Sequence, residues 1–202
     1  MTNSPMLPGQ RPATTGPLTG EDILKDHDVD PDALRDAVVE YMCTQRCYPR
    51  GTAMRMFGQA IVLLHYLARN PELALAPSQV VDEAVDALAV HTPYWNQLGA
   101  VLLDGVPPVG DIEPSAPTLP PTRILHHLPH VPGESRTTPD GRRVIPPAKV
   151  AALLRQAGYA VDEELWPTDE AGDSAGDCCL FYSEQTQYLR PFNRQPVVVA
   201  AS

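Results

Sequence analysis

A chain of 202 residues, 43% of them hydrophobic, is long enough to close one core of ordinary size, while its 23 prolines set aside long irregular stretches and leave about 130 to 150 residues to fold. The formal net charge of -10 disfavours nucleic acid as a partner, because holding a phosphate backbone needs a basic stripe that releases counterions, and none is present. The longest aliphatic run, Ala60 to Leu64, is far short of a membrane span, and Met1 to Gly20 has neither the basic nor the apolar part of a secretory signal. A cytoplasmic location is therefore expected, with no membrane contact, and Cys43, Cys47, Cys178 and Cys179 are expected to be thiols or ligands before disulfides.

In chain order, residues 1–20 read as a disordered N-terminal segment rich in Pro, Thr, Ser and Gly. Asp30-Pro31 predicts a helix start, a cap followed by proline at the first helical position, and Leu34, Ala37, Val38, Tyr41 and Met42 recur at helical spacing up to a stop at Pro49-Arg50-Gly51. Thr52 to Asn70 is the strongest helix. Its Met56, Phe57, Ala60, Ile61, Leu63, Leu64 and Leu67 are too many for one narrow stripe, which predicts a central position. After Pro71, Ser78 caps a helix whose apolar face is Val81, Ala84, Val85 and Leu88, with Asp82 and Glu83 at the favourable end of its dipole.

A further amphipathic segment runs from Pro93 to Leu103, and the six prolines between Asp104 and Pro121 then predict an irregular connector. The cluster His126-His127-Leu128-Pro129-His130 follows as a histidine-rich loop. After the turn Pro139-Asp140-Gly141, a last helix is expected from Ala148 to Gln156, stopped by Gly158. Residues 167–202 read as an acidic, irregular tail in which Val197 to Val199 form a short edge strand or a frayed end. The expected fold is mainly α: a compact bundle of four to six helices forming one domain over residues 21–166, with residues 104–147 as connector and loop.

No phosphate loop, dinucleotide fingerprint, nucleophile elbow or zinc-protease helix is present. The string Asp26, Asp28, Asp30, Asp32 fails as a calcium loop, because Pro31 stands where a flexible glycine is needed and Ala37 where the bidentate glutamate is needed. Asp82 and Asp86 are four apart on one helix and share a face, with His91 near the end of the same helix. Folded back onto that face, His126, His127 or His130 would complete a set of imidazoles and carboxylates suited to Fe(II) or to Zn with an open position. The plainer reading leaves Asp82 to the helix dipole, Asp86 to solvent and His91 to helix-end carbonyls.

Cys43 and Cys47 share a helix face and offer a second zinc arrangement with Cys178-Cys179 or the histidines, against simple burial. His65, among Leu63, Leu64, Tyr66 and Leu67, reads as a hydrogen-bonded core histidine.

The run from Ala76-Pro77-Ser78 through Val81-Asp82 and His91-Thr92-Pro93-Tyr94, followed by His126-His127-Leu128-Pro129, resembles the small actinobacterial glycine-rich-domain-containing proteins. Their pattern is approximately P-S-x-x-V-D-x-x-W-H-x-x-I-x-x-T-x-x-Y, then a histidine pair before proline. Leu154 to Trp166 is similar to their final helix, so that the likeness spans Asp30 to Cys179. This chain has Val85-Asp86 where that pattern has Trp-His, and a longer spacer before the histidine pair. The resemblance implies that Asp86 either replaces a histidine in its role or marks its loss, and it implies an architecture without implying a reaction.

Two functional classes follow. One is a metal-binding helical protein, a small metal-dependent enzyme or accessory protein, holding a divalent ion and a small-molecule substrate between the Ser78 to His91 helix and the His126 to His130 loop. The other is a non-catalytic, regulatory helical module that takes a protein partner on an apolar helix face or through the seven carboxylates between Asp162 and Asp177.

Overall fold

The most apolar helix of the sequence is also the one the others pack around. In the structure, a computed structural model that describes residues 16–27, 31–91, 95, 98–99, 101–103, 123–129, 137–166 and 178–184, the elements run α1 (Gly20–Asp26), α2 (Pro31–Gln45), α3 (Arg50–Arg69), β1 (Ala74–Leu75), α4 (Gln79–Val90), β2 (Arg123–Pro129), α5 (Pro147–Gln156) and β3 (Cys178–Glu184). Trp95, Leu98, Gly99, Val101 and Leu102 are helical as well. Residues 1–15, the connector over 104–121, His130, the acidic stretch 167–177 and Val197 to Val199 lie outside the described residues. Helix α3 is buried from Met56 to Ala68 except at Gly58, and it packs against α1, α2, α4, α5 and β3. Each fully buried leucine along it, such as Leu63, Leu64 and Leu67, contributes about 1.5–3 kcal/mol of hydrophobic free energy.

Local chemistry explains the element ends. Pro31 opens α2, and Ser78 caps α4 by accepting a hydrogen bond from the Val81 amide at 3.2 Å. Gly158, at φ +85°, terminates α5 in the left-handed conformation. Helix α2 stops at Gln45, and the chain turns at Cys47, whose φ of 59° lets the Tyr48 amide reach back to the Met42 carbonyl. Helix α3 begins at Arg50, so Pro49 supplies its extended cap and the Pro49-Arg50-Gly51 stop is also a start.

Helix α1 adds an element that the apolar spacing did not announce. Thr19 and Asp22 form a reciprocal capping box, and Ile23 and Leu24 are buried. Gly20 lies so close to α3 that a Cβ there would stand 2.6 Å from the Gly58 carbonyl oxygen.

Two expectations are corrected. From His126 to Pro129 the histidine cluster is not a loop: Arg123–Pro129 is a strand. The segment after residue 177 is not wholly irregular either, because Cys178–Glu184 is the central strand of an antiparallel sheet ordered β1-β3-β2. The fold among the described residues is therefore mainly α with a small three-stranded sheet. Both strands are short apolar runs that also carry polar residues, and the central strand β3 is buried on both faces from Cys178 to Ser183. Register places His127 opposite Leu180, Leu125 opposite Tyr182 and Pro129 opposite Cys178, while His126 is opposite Phe181 and Leu128 opposite Cys179.

Of the first set, Leu125, Cys178, Leu180 and Tyr182 face the helices and join the main core. The second set faces the other way, where Phe181 and Cys179 form a smaller cluster with Ala74, Ala76 and Val144. Arg142 closes that side. Its guanidinium donates to the carbonyls of Pro71, Leu73 and Tyr182 at 3.0, 3.3 and 2.7 Å, pairs with Asp140 at 2.6 Å and lies 5.0 Å over the Phe181 ring.

Candidate metal centre

Three elements converge on one point. Helix α4 supplies Asp82 from its first turn, and the placement is fixed by Ser78, which caps the helix and donates to the Leu165 carbonyl at 2.5 Å. Strand β2 supplies His127, turned toward the helices because it pairs with Leu180 on the core-facing side. Strand β3 supplies Cys178, a diagonal neighbour of His127 on the same sheet face. One ligand atom from each, a carboxylate oxygen, an imidazole nitrogen and a thiol sulfur, lies within 4.8 Å of both others, so the group could hold a metal ion.

The internal contacts are uneven. Cys178 Sγ donates to Asp82 Oδ1 at 2.6 Å, and both residues are buried, Cys178 to 4% exposure. Burial pushes the Cys178 thiol well above its ordinary value, and the Asp82 carboxylate beside it pushes in the same direction. His127 Nε2 is 3.7 Å from Asp82 Oδ1 and 3.2 Å from Asp86 Oδ1. These separations are ion-pair distances, yet among the described residues this buried nitrogen makes no hydrogen bond. The second carboxylate is near enough to it but not aligned to share a proton. Trp95 closes the flank, its ring edge-on to that of His127 with the centroids 5.9 Å apart.

Of the residues expected from sequence, Asp82, Asp86 and His127 come together. His126 is turned to the opposite sheet face by strand alternation, where Nε2 lies 2.6 Å from Ser183 Oγ and the ring stacks on Phe181 at 4.8 Å. Burial, and then the charge of Arg142, hold its imidazole below the ordinary histidine value against the opposing pull of Asp140. His91 forms the C-cap of α4, with Nδ1 2.7 Å from the Ala87 carbonyl and its ring edge-on to Tyr41. His130 lies outside the described residues. Cys43 is half-buried and Cys47 exposed; among the described residues neither belongs to a metal-holding group. His65 is a buried core histidine with Nδ1 2.8 Å from the Tyr159 hydroxyl.

Sequence reasoning paired Cys178 with other cysteines and missed its partnership with Asp82. The available signal was the apolar run Cys178-Cys179-Leu180-Phe181-Tyr182, which reads as a buried strand. Among the described residues, no helix is long and apolar enough to cross a membrane. Comparison with protein-family models, curated proteins and solved structures finds no match to this chain.

Proposed function

We propose that this protein binds a divalent transition-metal ion through the Asp82 carboxylate, the His127 Nε2 and the Cys178 thiolate, with Zn(II) favoured over Fe(II). The observation that carries the reading is the buried His127 Nε2, without a hydrogen bond among the described residues, in a cluster with a buried carboxylate and a buried thiol. A buried polar atom without a hydrogen bond costs about 1–3 kcal/mol, less where carboxylates stand at ion-pair distance as Asp82 and Asp86 do here, and a bound cation would offset that cost at His127 while separating Asp82 from Cys178. Donor chemistry selects the metal. A thiolate with an imidazole and a carboxylate suits zinc, whereas the common Fe(II) set uses two imidazoles and a carboxylate, and among the described residues no second imidazole joins the group, His126 pointing away.

The test is elemental analysis of protein purified without chelator, followed by zinc titration of the apoprotein. About one equivalent of metal in the wild type, and its loss in His127→Ala and in Cys178→Ser, is the expected result. Less than about a tenth of an equivalent, with no uptake on addition of zinc, overturns it.

A further inference from the structure

We propose that Asp86 is the fourth ligand of this centre and that Arg46 positions it, so that the ion is closed off by protein and works as a structural clamp holding β2 and β3 to α4. The inference rests on the metal-binding reading above. A catalytic zinc keeps one position for water or substrate, whereas a structural zinc fills all four with protein, so the identity of the fourth donor decides what the ion can do.

Geometry favours Asp86. It lies one turn beyond Asp82 on α4, so both carboxylates leave the same helix face. Zinc–nitrogen and zinc–oxygen bonds of about 2.0–2.2 Å at a tetrahedral angle set two ligand atoms about 3.3–3.5 Å apart. The distances from His127 Nε2 to Asp86 Oδ1 and to Asp82 Oδ1, 3.2 and 3.7 Å, bracket that spacing. The contact with Asp86 is close without being a hydrogen bond to that nitrogen, as expected for two groups aimed at a common ion.

Charge gives a second, independent reason. A dication among three anionic ligands retains one net negative charge, and a cationic side chain stands beside the fourth carboxylate. Arg46 Nη2 is 3.9 Å from Asp86 Oδ2 and its Nε is 3.5 Å from Glu83 Oε2. Outer partners of this kind orient a ligating carboxylate, and their loss weakens metal binding without abolishing it. Asp86 is also the most solvent-facing of the four, with its side chain 41% exposed, so it offers the face by which an ion reaches the three more enclosed donors.

The experiment is a Co(II) titration of the full chain followed by visible absorption, with azide added at saturation. In the wild type we expect a four-coordinate Co(II) spectrum that azide leaves unchanged. Asp86→Ala should weaken Co(II) binding about 10- to 100-fold and make the spectrum azide-sensitive, because a solvent position opens. Arg46→Met should weaken binding less, and the double variant should be no weaker than Asp86→Ala, the signature of a residue acting through Asp86. Asp86→Asn, which keeps the shape, serves as the second variant if the alanine variant does not fold.

Unchanged Co(II) affinity in the Asp86 variants, or an azide-sensitive wild type, overturns the inference and leaves the three-ligand site standing. A wild type that takes up no Co(II) at all overturns both readings.

Discussion

The thiol of Cys178 donates to Asp82 Oδ1 at 2.6 Å, joining the first residue of β3 to the first turn of α4 across 96 positions of sequence. Without metal, this bond is what satisfies the buried carboxylate oxygen. In chelator, Cys178→Ala should therefore destabilise the protein by about 1–3 kcal/mol, while Cys178→Ser keeps a donor and costs less. Urea denaturation of the two variants checks this, and equal midpoints would count against it. The folded thiol is raised above its ordinary value, so its contribution is complete below the ordinary thiol range and is lost as the pH rises through the folded value. The wild-type apoprotein should accordingly weaken in alkali more steeply than the serine variant.

Two glycines that meet should respond in opposite directions. Gly20→Ala forces a Cβ to within 2.6 Å of the Gly58 carbonyl oxygen, a backbone atom that cannot swing aside, and overpacking of this kind costs about 1–3 kcal/mol. Gly58→Ala meets nothing within 4 Å and should gain about 0.5–1 kcal/mol from helix propensity. Thermal melts of the two variants should move apart, and a shift of the same sign in both would contradict the close α1–α3 packing.

Arg142 holds the Asp140 carboxyl below its ordinary value, chiefly by direct hydrogen bonding, with burial opposing. For a depressed acid, the stabilisation is present above the ordinary carboxylate range and disappears as the pH falls through the folded value. Asp140→Asn should thus lower stability at neutral pH and flatten its fall below about pH 4. Urea midpoints for wild type and variant that stay parallel across that range would refute the assignment.

Most of the helical framework is legible in the sequence because helices are local: Pro31, Ser78 and Gly158 mark ends, and the apolar density of Met56 to Leu67 marks the centre. Helix α1 was also readable from the spacing of Thr19 and Asp22, but seven residues carry too little periodicity to stand out. The sheet was not legible. Ile124-Leu125-His126-His127-Leu128 and Cys178-Cys179-Leu180-Phe181-Tyr182 are short apolar runs whose pairing depends on closing a loop of about fifty residues, and spacing within one segment cannot report it.

The site divides in the same way. Asp82 and Asp86 could be paired from helical spacing alone, and His127 was in view only as one member of the cluster with His126 and His130. Choosing His127 over His126, and finding Cys178, required knowing which residues a strand turns to which side.

Adjacent histidines on a strand have one more consequence. Side chains alternate across the sheet, so a slip of β2 by one residue would carry every one of its side chains to the wrong face, with His126 arriving where His127 belongs and Leu128 thrown toward the helices' polar donors. The slipped strand would still offer an imidazole to Asp82 and Cys178, so an ion between α4, β2 and β3 would tolerate the error. Alignment of the sheet is guarded instead by packing, because the slip would take Leu125 out of the main core.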